Sequence, residues 1–245
     1  MTHGTGLSTA LRHPALWRGS DLASTRLPGV PSGFEVLDAE LPGSGWPVGA
    51  LVELMPEHEG IGELRLLGPV LSSICAQQRK IAWIAPPYLP YAPALAAAGI
   101  DTGQIVIVRT SASKNALWAT EQALASNACG AVLAWLDAPR YEDLRRLQLA
   151  AEGAQALAFL FRSPLAARQP SPAGLRMVLS TLDGGLALHL VKRRGAPLAR
   201  PVIISAQQAG TPARRKSQKL VSHDLDRHSS ARASARHFAA RIAAA

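Results

Sequence analysis

Cysteine, methionine and aromatic residues are scarce in this 245-residue chain, with two Cys, three Met and 5% Phe, Trp and Tyr. Cys75 and Cys129 lack any metal-ligand spacing and sit in apolar contexts, which excludes a thiolate metal site and leaves reduced core thiols. The tryptophans Trp17, Trp46, Trp83, Trp118 and Trp135 are scattered over separate elements, so they read as core or contact residues and not as a row on which bases stack. Long hydrophobic runs are also missing. The longest, Ile81 to Pro87 and Ala131 to Leu136, fall far short of the roughly 18 to 20 residues that span a bilayer. No secretory-type apolar run stands near Met1, so a cytoplasmic protein without membrane attachment is expected. No Ser, His and Asp arrangement carries a local signature of nucleophilic catalysis, and there are no internal repeats.

What is present is apolar content and positive charge. Hydrophobic residues make up 48%, ample for one sizeable core. The net charge of +9 points to an anionic partner, and its distribution is uneven. Beyond Ala206, the cations Arg214, Arg215, Lys216, Lys219, Arg227, Arg232, Arg236 and Arg241 face only Asp224 and Asp226, so +6 of the +9 sits there. Three regions follow: a Pro-, Gly- and Ser-rich lead-in over 1–32 with a short helix near Leu7 to Trp17, a folded domain over 33–205, and a basic, largely disordered tail over 206–245. In the tail, Phe238 and Ile242 at i, i+4 would suit a helix formed against a partner. The cations would serve DNA equally well, with a steep salt dependence.

Within the domain, Gly33 to Asp38 forms a helical turn capped by the Ser32 hydroxyl. Short β-branched or apolar runs then alternate with helical spacing about five times: Val52 to Leu54, Ile81 to Ala85, Ile105 to Val108, Ala131 to Leu136 and Leu157 to Phe161. Pro139 suits the first turn of the helix through Leu144, Leu147 and Ala151. Such alternation predicts an α/β fold, a mainly parallel sheet flanked by helices. Three closing strands, Leu175 to Ser180, Leu186 to Val191 and Val202 to Ser205, with Asp183-Gly184-Gly185 as a hairpin signal, predict antiparallel pairing at the C-terminal end.

The stretch from Val48 to Gln78 organises the rest. A strand runs into a loop holding Gly60-Ile61-Gly62 and then into a helix, the arrangement that seats phosphates in nucleotide-binding α/β proteins. The phosphate-loop pattern requires a lysine and a hydroxyl after its last glycine, and neither is here. Glu57, Glu59 and Glu63 instead bring negative charge that repels a triphosphate. His58 beside these carboxylates reads as solvated surface and not as a metal site, and His189 as a strand-face residue.

Several strings resemble known proteins. Leu37-Asp38, Leu41 to Gly49 and Val52-Glu53-Leu54 resemble the approach to the ATPase core of RecA-type recombinases, as do Trp83 to Asp101 and Leu188 to Pro197. His13 to Gly19, Gly45 to Leu51 and Asp143 to Ala151 further resemble the ImuA family of RecA-like proteins associated with bacterial translesion synthesis, over about residues 13 to 205. The resemblance implies a RecA-like core and a part in SOS-induced mutagenesis. Its implied partners are the polymerase-like protein ImuB, an error-prone DNA polymerase III alpha-type subunit and RecA.

It also implies which sites are degenerate. Gly60 takes the place of the last phosphate-loop glycine, Ile61 that of the lysine and Gly62 that of the Mg²⁺-binding hydroxyl. Pro86-Pro87 stands where a recombinase has its catalytic glutamate, so general-base activation of water is lost. Asp137 is the nearest carboxylate to the metal-orienting position, and otherwise reads as a helix cap before Pro139. Arg162 takes the place of a polar sensor and otherwise reads as a surface arginine. With Arg168 it is a candidate DNA or partner contact in the short Ser163 to Pro172 loop, alongside Arg214, Arg215, Lys216, Lys219, Arg232, Arg236 and Arg241. The expectation is a non-catalytic scaffold with no cofactor and no metal. Its alternatives are a weakly nucleotide-binding ATPase of the KaiC and RecA superfamily and a division inhibitor of the SulA type.

Overall fold

The computed structural model describes residues 29–205; the Leu7 to Trp17 helix and every tail cation named above lie outside the described residues. The first strands, β1 (Gly29–Val30) and β2 (Trp46–Pro47), pair antiparallel as a short ribbon around α1 (Glu35–Asp38). β1 falls within the stretch read as a lead-in to residue 32. The ribbon depends on glycine, since a Cβ at Gly29 would sit 2.5 Å from the Gly43 carbonyl oxygen and one at Gly45 2.3 Å from that of Val30. Ser32 does not cap α1 as expected. Its Oγ accepts from the Phe34 N–H one residue before the helix, and its own N–H donates to Asp38 Oδ1 at 2.8 Å.

Eight strands form one sheet: β3 (Leu51–Pro56), β4 (Lys80–Ile84), β5 (Ile105–Val108), β6 (Cys129–Trp135), β7 (Leu157–Phe161), β8 (Leu175–Leu182), β9 (Gly185–Lys192) and β10 (Val202–Ser205). Their order is β10-β9-β8-β3-β7-β6-β4-β5, with β3 to β8 parallel and β9 and β10 antiparallel to their neighbours. The mainly parallel sheet with antiparallel C-terminal strands is therefore present. From β3 the chain moves to one side of the sheet through β4 and β5, and the later strands return to flank β3 on both sides. That reversal makes the C-terminal end of β3 the switch point, where open α/β sheets carry their ligands.

Two cores follow from the period-2 alternation of the strands. Val52 and Leu54 of β3 face α1 and α2 (Glu63–Ala76), where Leu66, Leu67, Val70, Leu71 and Ile74 are buried with Trp83 and Phe159. Leu51 faces the opposite way, into the layer formed by α4 (Ser113–Ala125) and α5 (Tyr141–Glu152) through Ala119, Ala123, Leu144 and Leu147. The short α3 (Ala92–Ala97) adds Leu95 to the first core. Each large apolar side chain buried in this way is worth about 1.5–3 kcal/mol. Pro139 lies ahead of α5 and not in its first turn. The helix begins at Tyr141 after Arg140, whose N–H is held by the Asp143 carboxylate at 3.1 Å.

Candidate functional site at the switch point

Glu53 shares the face of Leu51 but is a charge in the middle of a buried strand. It is fully buried, and its environment accounts for it. Glu53 Oε1 accepts from Arg162 Nη1 at 3.1 Å and from Ser171 Oγ at 2.6 Å, while Oε2 accepts from Arg176 Nε at 2.6 Å. Arg162 reaches on to Gln169 Oε1 and Arg176 to the Ala166 carbonyl. One carboxylate thus staples the whole segment after β7, including the 3-10 turn Pro164–Arg168, against β3 and β8. The surface reading of Arg162 is corrected here: its side chain is 2% exposed and engaged in an ion pair with Glu53. Arg168, at the end of the turn, is exposed.

At the end of β3 the chain enters the Glu57 to Gly62 loop, where Gly60 (φ +81°) and Gly62 (φ +113°) take conformations that other residues rarely adopt. This turns the Gly60 and Gly62 N–H groups inward ahead of α2. Both are taken by the first residue of the helix: Glu63 Oε1 accepts from Gly60 N at 2.9 Å and Oε2 from Gly62 N at 3.1 Å, with Glu63 buried. An anion cradle is built at this helix N-terminus, and the chain's own carboxylate fills it, favoured by the helix dipole. Glu63 therefore acts by occupancy, where the sequence suggested only repulsion. Ile61 is half-buried against the first core and serves as a packing position.

Above this lies a cleft of about 540 Å³ along the C-terminal strand ends. Its charged lining consists of Glu57, Glu59, Glu63 and Asp137 against Arg162, with His58 alongside. Thr110, Ser111, Ser113 and Ser163 supply hydroxyls, and Pro86 and Pro87 form part of the wall. Trp135 and Phe161 stack at 4.5 Å with nearly parallel rings and give the cleft an apolar side. Asp137 is exposed on the lining and caps nothing, since the N-cap of α5 is Arg140. Two alanines beside the cleft, Ala85 at the end of β4 and Ala138 beyond β6, hold positive φ of +52° and +42°. Such conformations cost about 1–3 kcal/mol each and concentrate at functional sites.

Among the described residues no group of three or more His, Cys, Asp or Glu is placed to hold a metal ion; His58 stands 4.0 Å from Glu57 in an exposed pair. His189 is an exposed strand-face residue. Both thiols are buried, and burial pushes Cys129 up to about 11. The buried Glu53 network was not identified from sequence, although a glutamate and an arginine interrupting the apolar runs of β3 and β8 were its signal.

No family model matches the sequence. Among curated proteins, the cell division inhibitor SulA of Edwardsiella piscicida is 31% identical over 111 residues, which is 44% of this chain and 66% of that protein. The match thus spans a little under two thirds of that relative.

Proposed function

We propose that this chain is a non-catalytic, RecA-like accessory protein of the bacterial DNA-damage response. It acts in translesion synthesis as a scaffold that bridges ImuB and an error-prone polymerase III alpha-type subunit, with RecA as a further partner. The observation that carries this reading is the Glu63 carboxylate in the anion cradle of α2. A strand, a glycine turn and a helix are retained at the switch point, yet the N–H groups a phosphate would use are spent internally. Pro86 and Pro87 provide no proton acceptor on the cleft wall, and the segment after β7 is stapled down by Glu53 and so is not free to wrap a nucleic acid strand. What is left for function is surface: the acidic cleft, the sheet edges and the basic tail. The test is direct binding. Purified full-length chain titrated with purified ImuB should give a saturable complex on a sizing column, and no complex at micromolar concentrations would reject the reading.

A second reading is favoured by one specific finding, the 31% identity to SulA. In that case the chain inhibits cell division by binding the tubulin-like division protein, and it should block polymerisation of that protein in a light-scattering assay. Both readings imply a cytoplasmic protein that works by contact. Among the described residues no helix is long and apolar enough to cross a membrane.

A further inference from the structure

We infer that the acidic cleft is the docking site for the basic segment Arg214 to Lys219 of the same chain. Three observations converge on this.

The first is where the chain leaves the sheet. β8 runs parallel to β3, β9 antiparallel to β8 and β10 antiparallel to β9, so β10 points the same way as β3 and its C-terminal end lies along the same edge of the sheet as the cleft. Ile204 pairs with Leu186, and a Cβ at Gly62 would lie 3.6 Å from Leu186 Cδ1, so the strand beside β10 reaches the loop that carries Glu57 and Glu59. The second is reach. β10 and β7 are four strand spacings apart, about 19 Å at ~4.8 Å each. Nine residues beyond Ser205, at ~3.3 Å per residue, cover about 30 Å and bring Arg214 over the centre of the cleft. The third is charge. Glu57, Glu59 and Asp137 are exposed carboxylates of the lining, Glu63 is a fourth already held by two N–H groups, and the lining's one arginine shares Glu53 with Arg176. The exposed Arg109, Lys114 and Arg140 are not among the lining side chains. Arg214, Arg215, Lys216 and Lys219 bring four cations within six positions.

The full chain tests this with two readouts. Glu57, Glu59 and Asp137 are exposed, so the triple variant E57Q/E59Q/D137N keeps the fold. Tryptic cleavage within Arg214 to Lys219 at low salt should be faster in the variant than in the parent by about five-fold, the scale that three screened ion pairs supply. At high salt the two rates should converge. Zero-length carbodiimide coupling, on a mixture of light and isotope-labelled copies, should join Lys216 or Lys219 to Glu57, Glu59 or Asp137 within one copy. Equal cleavage rates at low salt would overturn the inference. So would coupling only between copies, which would make the occupant a second molecule, or protection of the tail only on adding an oligonucleotide.

Discussion

Replacing Glu53 with glutamine keeps the shape of the side chain and removes the charge that two buried guanidiniums share. Arg162 and Arg176 have side chains 2% and 6% exposed, so neither can turn to solvent without breaking its bond to Gln169 or to the Ala166 carbonyl. Removing one partner of a buried ion pair costs about 3–5 kcal/mol, because the remaining charge is left uncompensated. With a urea dependence of about 2 kcal/mol per molar, the unfolding midpoint of Glu53→Gln should fall by about 1.5–2.5 M. Urea titration followed by circular dichroism reads this directly. Tryptic cleavage at Arg168 should rise in parallel as the segment after β7 is released. The apolar triple variant E53L/R162M/R176M provides the control. It removes all three charges together and should be more stable than Glu53→Gln by about 2 kcal/mol or more, even though the Ala166 carbonyl loses its donor. A loss below about 1 kcal/mol for Glu53→Gln, or a triple variant less stable than the single one, would refute the claim that this carboxylate holds the segment in place.

Glu63→Ala should cost about 1–2 kcal/mol in the same assay, as it removes a charged cap on two N–H groups at a helix start. For Asp38, desolvation raises the carboxyl above its ordinary value despite the hydrogen bonds from Ser32. The folded state therefore binds this proton more tightly than the unfolded chain, so its contribution is fully present below the unfolded value near 3.8 and is lost as pH rises through the raised folded value. Asp38→Asn should accordingly gain stability relative to the parent at pH 7 and show no such gain at pH 3, measured by thermal melts at both pH values. Cys129, fully buried with its thiol pushed up to about 11, should resist a thiol-reactive disulfide reagent at pH 8 until the urea transition. Prompt labelling of Cys129 in the folded protein would contradict that burial.

How much of this was written legibly in the sequence depends on the kind of residue. The parallel strands were readable because β4, β6 and β7 are uninterrupted apolar runs, a pattern that burial on both faces requires. The hairpin at Asp183-Gly184 was readable from turn chemistry: Gly184 has φ +76° and Leu182 pairs with Gly185. The β1 ribbon was missed because two residues carry no periodicity, and Pro139 was misplaced by two residues because Arg140 and Asp143 make the N-terminal contact of α5. In the site, the missing lysine at Ile61 could be read by position. That the Glu63 carboxylate fills the cradle could not, because it depends on how Gly60 and Gly62 turn their N–H groups. Arg162 was misjudged for the same reason. An arginine after a strand is ordinarily at the surface, and only the parallel register of β7, β3 and β8 brings it and Arg176 to Glu53, more than a hundred residues from either.

The proposed function requires that Glu63 close the glycine loop ahead of α2 to phosphate from within, so that the protein works by contact and not by hydrolysis. Calorimetric titration of the full chain with ATP and Mg²⁺ tests it most directly, with the variant Ile61→Lys alongside. No saturable heat is expected from either protein up to about 1 mM ligand, equivalent to binding weaker than about 4 kcal/mol, because the lysine alone does not dislodge Glu63. Micromolar binding by the parent chain would contradict the account.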